Sequence, residues 1–247
     1  MALNDEQVQQ LQTRVLKIIK NHDVGEDFSL KRGGQKYVLI NEVNETTQAI
    51  AVAPLDKEGK PDYSQTTIVV AGTQDPDGDI NNHVIESGFN AATARVQLTE
   101  QTKDVREFYN QSLSKAKKMA GTGQEVDISN MSGFSQSGPA VAKVAAEMKV
   151  QKITNFMDWG AWASLYKNSS DYKGISNEEL AYLNKHLHSY SDQGKDLTSW
   201  DGHGGGLFHM VKCLLSKVNI IMLVYPRLKV IVQILSGMKK MVYFVQE

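Results

Sequence analysis

The stretch SNMSGFSQSGPA, residues 129–140, sets Ser135 between Gly133 and Gly138, with Phe134, Gln136 and Ser137 filling the gap. Small residues packed this densely around one serine have two readings. One is a Ser/Gly turn whose serine caps the helix that follows. The other is a sharp strand-to-helix elbow, in which strained backbone lifts the serine into a cleft and small neighbours let strand and helix approach. The flanks favour the elbow. EVDISNMSG upstream reads as a short strand. GPAVAKVAAEMK downstream reads as a strong helix, with Pro139 near its first turn, where a missing N–H is tolerated. A helix N-terminus aimed at the serine can stabilise an oxyanion, and the backbone N–H of Gln136 is one such donor.

Further upstream, residues 67–71 of QTTIVVAGTQD are continuously apolar or β-branched, as in a strand buried on both faces. That strand ends in Gly72-Thr73. The N–H and hydroxyl of Thr73, or Gln74 in its place, can supply a second oxyanion donor. Between strand and elbow, the spacing of Val105, Phe108, Tyr109, Leu113, Ala116 and Met119 predicts a helix over 100–120 laid on a sheet, ended by GTGQ. Beyond the elbow, VQKITNFMDW reads as a strand. SNEELAYLNKHL reads as a helix capped by Ser176, with Glu179 completing a capping box. HSYSDQGKDLTSW reads as a strand running into a loop.

The N-terminal third has a different rhythm. Val8, Leu11, Val15, Ile18 and Ile19 fall on one stripe and predict an amphipathic helix over 4–21 capped by Asn4. KYVLINEVNETTQAIAVAPLD carries two β-rich runs around Asn44-Glu45-Thr46, which predicts an antiparallel hairpin. Strands and helices alternate after residue 65. The expected fold is therefore α/β, a mostly parallel sheet with helices on both faces and an N-terminal antiparallel hairpin.

Bulk properties exclude several classes. The 247 residues are enough for one α/β domain. Lys and Arg number 27 against 28 Asp and Glu, so no basic face is available for nucleic acid. A single cysteine, Cys213, allows no internal disulfide and fits a reducing compartment or an export route that forms none. MALNDEQVQQ is polar and acidic, unlike a secretory signal, and no apolar run reaches the length of a membrane span. A cytoplasmic location, or export by a leaderless route, is the expectation.

VVAGT, followed about sixty residues later by a G-x-S-x-small-G elbow with a helix on each side, resembles the class 3 lipases, a branch of the α/β-hydrolases. The resemblance covers about 65–200. It implies an α/β-hydrolase-type domain over 1–206, a triad in the order Ser, Asp, His, and hydrolysis of acyl esters without a cofactor or metal. An acyl ester or lipid is the implied substrate, with transient contact with a lipid surface. Ser135 matches the family's nucleophile and Thr73 its oxyanion residue. Ser137 departs from the pattern, since the family usually has glycine there.

The triad acid belongs at the end of a later strand. Asp196 is preferred, because an acid followed by Leu-Thr resembles the family's strand-end pattern. Asp192 is the close alternative and Asp158, ending ITNFMDW, the third. Each is otherwise a surface-turn aspartate. A general base must take the serine proton, and after Asp196 only His203 and His209 remain. DGHGGGLFH puts His203 in a glycine-rich loop able to reach a cleft, so His203 is the base by default, His209 the alternative, and a loop histidine without a role the plain reading. His186 and His188 precede the acid and belong to the helix and strand there. Without a competent histidine, the rival is a non-catalytic hydrolase-like binding domain.

From residue 207 the chain changes character. The tail 207–247 is rich in Val, Ile, Leu, Met and Lys, with Glu247 its one acid. One reading is buried strands at the sheet edge. A second is a membrane-surface helix, but its cations do not gather on one face. A third is a shift of reading frame relative to the family. With synonymous codons chosen freely, 207–222 shifted by one base can be written IPYGKVFIKQGKHHN, strand-like with a glycine turn and histidines. The Met-Val step forces the first glycine, while the histidines are only permitted. On that reading the chain lacks its base, and serine hydrolysis falls by orders of magnitude.

Two other groupings carry less. DPDGDINNHVIE spaces Asp75, Asp77, Asp79 and Glu86 somewhat like a calcium loop, but Ile80 stands where glycine is needed, so a solvated loop is the better reading. Trp159, Trp162 and Trp200 read as core aromatics, or as the lining of an acyl pocket.

Overall fold

The hairpin about Asn44-Glu45-Thr46 forms. β2 (Lys36–Asn44) and β3 (Gln48–Pro54) pair antiparallel with Asn44 opposite Gln48, and β1 (Asp27–Ser29) adds antiparallel to β2. This computed structural model describes residues 3–72, 100–156 and 175–190, and the backbone of 221–225 and 228–232. β4 (Thr66–Val70) pairs antiparallel with β3 and parallel with β5 (Ile128–Gly133). β6 (Lys152–Phe156) and β7 (Leu187–Tyr190) extend the parallel half. The result is one mixed seven-stranded sheet in the order β1-β2-β3-β4-β5-β6-β7.

α3 (Glu100–Ala120) takes the bounds its apolar spacing predicts. α4 (Ser137–Glu147) follows the elbow, and α5 (Asn177–His186) carries the Ser176–Glu179 capping box. Val105, Phe108 and Ala116 of α3, Val141 and Val144 of α4, and Leu183 of α5 share one apolar cluster with Ile40, Ala51, Ile68, Met131 and Ile153 of the sheet. All three helices thus lie on one face. Parallel strands added in sequential order by crossovers of one hand put every connecting helix on the same side. Helices do cover both faces as expected, but the three described helices of the alternating half share one of them. The second face is covered from the N-terminus.

There the single helix expected over 4–21 is two. α1 (Asp5–Gln12) is capped by Asn4, with Gln7 returning the bond, both at 2.9 Å. α2 (Val15–Asn21) starts after a break at Arg14, whose φ of −134° and ψ of 11° are not helical. The break lets α1 lie on β4, β5 and β6 while α2 lies on β2 and β3. The predicted stripe still serves, since Val8, Leu11, Val15 and Ile18 pack on Leu39, Ile50, Val52 and Val69.

A bulge sets the faces of β5. Thr66 pairs with Ile128 but Thr67 with Asn130, leaving Ser129 as the extra residue. The skipped step turns Ile128 and Met131 to the same cluster, on the α4 side, and leaves Ser132 facing α1.

The chain divides into two compact units, Met1–Cys213 and Leu214–Glu247. In the second, β8 (Ile221–Tyr225) and β9 (Leu228–Val232) form a two-stranded antiparallel sheet of their own, instead of the edge strands that the apolar tail suggested. No helix among the described residues is long and apolar enough to cross a membrane.

Candidate active site

The carboxyl ends of β4, β5, β6 and β7 share one edge of the sheet, where ligands collect in open α/β structures. At that edge β5 ends in Gly133. Phe134 still bridges Phe156 of β6, and α4 begins at Ser137. Ser135, between them, has φ 51°. A left-handed backbone with a Cβ costs about 1–2 kcal/mol, so the surrounding contacts must hold it.

One other described non-glycine residue has positive φ, and it shows the contrast. Lys149, at 56°, follows the C-cap of α4. Val150 N–H returns to Ala145 O at 2.9 Å and Lys149 N–H to Ala146 O at 3.4 Å, the Schellman pattern that ends many helices. Ser135 sits at a helix start, where capping calls for no left-handed residue. Its strain comes from turning a strand into a helix within three residues.

The bend is possible because glycine lines it. A Cβ on Gly133 would stand 2.8 Å from Gly138 Cα and 3.0 Å from Ser137 O. A Cβ on Gly72, just past β4, would stand 2.7 Å from Phe134 O. Strand end, elbow and helix start are therefore in backbone contact. Hydrogen bonds pin them. Ser135 N–H donates to Phe156 O at 2.9 Å. Asn155, fully buried on β6, accepts from Gly133 N–H and donates to Gly138 O, both at 2.9 Å. One side chain thus fastens the strand end to the first turn of α4.

Ser135 is half-buried, and its hydroxyl has no hydrogen-bond partner among the described residues. The Gln136 N–H beside it likewise has no acceptor among them. An N–H outside the helix ladder, on the residue after a serine at a helix start, is what an oxyanion donor needs. Gln136 is 3% exposed, and neither its Nε2 nor its Oε1 has a partner among the described residues. Phe156 and Tyr190 stack at the same edge with centroids 5.5 Å apart. Tyr190 donates to Asp5, and that bond pushes the phenol pKa up.

Of the site residues expected from the sequence, Ser135 and Gln136, neighbours in the chain, are among the described residues. Thr73, Asp158, Asp192, Asp196, His203 and His209 lie outside the described residues, as do the acidic loop of Asp75, Asp77, Asp79 and Glu86 and the three tryptophans. His186 and His188 fall where expected. His186 ends α5 with Nδ1 2.8 Å from Gln151 O, and His188 is on β7, 3.9 Å from Asp5. Among the described residues no group of three or more metal-ligating side chains gathers. The acidic groove of about 190 Å³ lined by Glu45, Asp104 and Glu107 sits between the β2–β3 turn and α3, with none of the elbow residues in its wall.

Two supporting residues escaped notice in the sequence. Asn155 is a polar residue in the middle of the strand KITNF, and Gln12 occupies a stripe position between Val8 and Val15. A polar residue where the pattern demands an apolar one was the available signal. No protein-family model, curated protein or solved structure matches the chain.

Proposed function

We propose that this chain is a serine hydrolase of the α/β-hydrolase type, similar to class 3 lipases, acting on carboxylic esters of acyl or lipid substrates. The observation that carries the proposal is the left-handed Ser135 at a glycine-lined bend between β5 and α4, followed by the start of that helix. Strained backbone at a functional residue is the usual mark of such an elbow.

In this mechanism Ser135 Oγ attacks the ester carbonyl. His203 takes the hydroxyl proton, and Asp196 orients the imidazole. The carbonyl oxygen becomes an oxyanion held by the Gln136 N–H and by Thr73. As the tetrahedral adduct collapses, the carbonyl–alkoxy bond breaks and the proton passes from His203 to the leaving alcohol. Water, deprotonated by the same histidine, then releases the acid and restores Ser135. Asp192 and Asp158 are the alternative acids and His209 the alternative base.

A fluorophosphonate probe tests this directly. Labelling of the wild type that disappears in Ser135→Ala supports the hydrolase. A folded wild type that resists the probe and turns over no acyl ester makes the domain a hydrolase-like binder instead.

A further inference from the structure

The end of β5 departs from the ordinary parallel ladder. Gly133 N–H goes to Asn155, and Phe134 N–H goes to the Ser137 hydroxyl at 2.8 Å. That hydroxyl lies 3.1 Å from Val70 O, the last carbonyl of β4, and 3.0 Å from Phe134 O. It therefore stands where a rung between β4 and β5 would run, accepting from one strand and donating to the other. Val70 O takes a second bond from the opposite face of the sheet, from Gln12 Nε2 of α1 at 2.8 Å. Gln12 Oε1 in turn accepts from Ser132 Oγ of β5 at 2.9 Å. Gln12 is 5% exposed, and Ser132 and Ser137 are fully buried.

We infer that Gln12 and Ser137 are positioning residues that brace the elbow through the sheet. Both bonds converge on one carbonyl, two residues before Gly72, whose backbone touches Phe134 O. Together they set the separation between the end of β4, which leads to Thr73, and the elbow that carries Ser135 and the Gln136 N–H. This rests on the hydrolase reading, in which those two places supply the two oxyanion donors. It also accounts for serine at 137, where glycine would leave Phe134 N–H and Val70 O without their relay. A misplacement of order 1 Å at reacting groups costs about a hundredfold in rate. The brace therefore acts on turnover more than on substrate affinity.

The test uses the full chain and two variants, Ser137→Ala on one face and Gln12→Met on the other. Each is expected to lower kcat on a short-chain p-nitrophenyl ester, and the rate of fluorophosphonate labelling, by about 10- to 100-fold, with KM changed less than about 2-fold. Amide exchange is expected to quicken at 70–72 and 133–138 in both variants and to stay unchanged in α5. The double variant should lose less than the product of the single losses, because the bonds share one acceptor. Unchanged kcat, a loss confined to KM, or faster exchange spread evenly over the molecule overturns the brace. A wild type with neither turnover nor labelling overturns the hydrolase reading, and the exchange measurement alone then upholds or overturns the brace.

Discussion

At residue 135 the backbone is held at φ 51° against the preference of any residue with a Cβ. What holds it is specific. Its N–H is tied to Phe156 O, Gly138 N–H returns to its carbonyl at 3.2 Å, and glycines at 133 and 138 leave room for the turn. The hydroxyl contributes nothing to this lattice among the described residues. Glycine adopts the same φ without a Cβ clash. Ser135→Gly is therefore expected to raise stability by about 1 kcal/mol, seen as a higher urea midpoint at constant m, while abolishing labelling by the probe. A fall in the midpoint would mean that the left-handed turn is not strained.

At the scale of elements, α3, α4 and α5 are held side by side by a chain of charges. Arg106 of α3 binds Glu147 of α4 through two bonds, at 3.0 and 3.1 Å. Lys143 of α4 reaches Glu147 at 3.2 Å and Glu179 of α5 at 2.6 Å. Glu179 also accepts from Ser176 N–H at the cap of α5. The Lys143 side chain is 5% exposed and that of Glu179 13%, so removing Lys143 takes the cation from a largely buried carboxylate, while Glu147 keeps Arg106. Breaking a buried pair in this way costs about 3–5 kcal/mol, and Lys143→Met should lower the urea midpoint accordingly. Burial pushes the Glu179 carboxyl up, but Lys143 and the Ser176 N–H outweigh it and hold the pKa below the ordinary 4.5. A lowered folded pKa adds stability that is complete above 4.5 and is lost as pH falls through the folded value. The stability gap between wild type and Glu179→Gln should therefore shrink below about pH 4.5, by urea titration at a series of pH values. A gap independent of pH would remove Glu179 from the account.

At the scale of the first compact unit, the N-terminal helices decide whether the sheet has a second buried face. Leu3, Val8, Leu11, Val15 and Ile18 are all at most 3% exposed. Burial contributes about 1.5–3 kcal/mol per large apolar side chain, as an upper estimate, or roughly 10 kcal/mol for the five. That rivals the whole stability of a typical domain, about 5–15 kcal/mol. Removing residues 1–21 would also uncover Leu39, Ile50, Val52 and Val69. The shortened chain is expected to bind a hydrophobic dye and to lose cooperative unfolding. A sharp transition in that chain would show that α1 and α2 are an accessory layer, and would leave the Gln12 brace without a role in the fold.

Local sequence was sufficient wherever one element's own chemistry decides it. The hairpin turn at Asn44-Glu45-Thr46, the run of α3, the cap at Asn4, the capping box at Ser176, and the strand-bend-helix around Ser135 all follow from spacing, caps and small residues within a few positions. Tertiary contact decided the rest. The helix over 4–21 breaks because two neighbouring strand groups must each be covered, which no residue in that helix signals alone. The bulge at Ser129 reverses faces in β5, and a period-two reading cannot foresee a skipped residue. Ser137 looks like a substituted glycine and Gln12 like a polar intruder on an apolar stripe until the fold brings both to Val70 O, 67 and 58 positions away in the chain. A hydrogen bond between distant segments leaves no periodicity behind. Sequence by itself named the bend and its serine, and only the packed sheet determined what holds that bend in place.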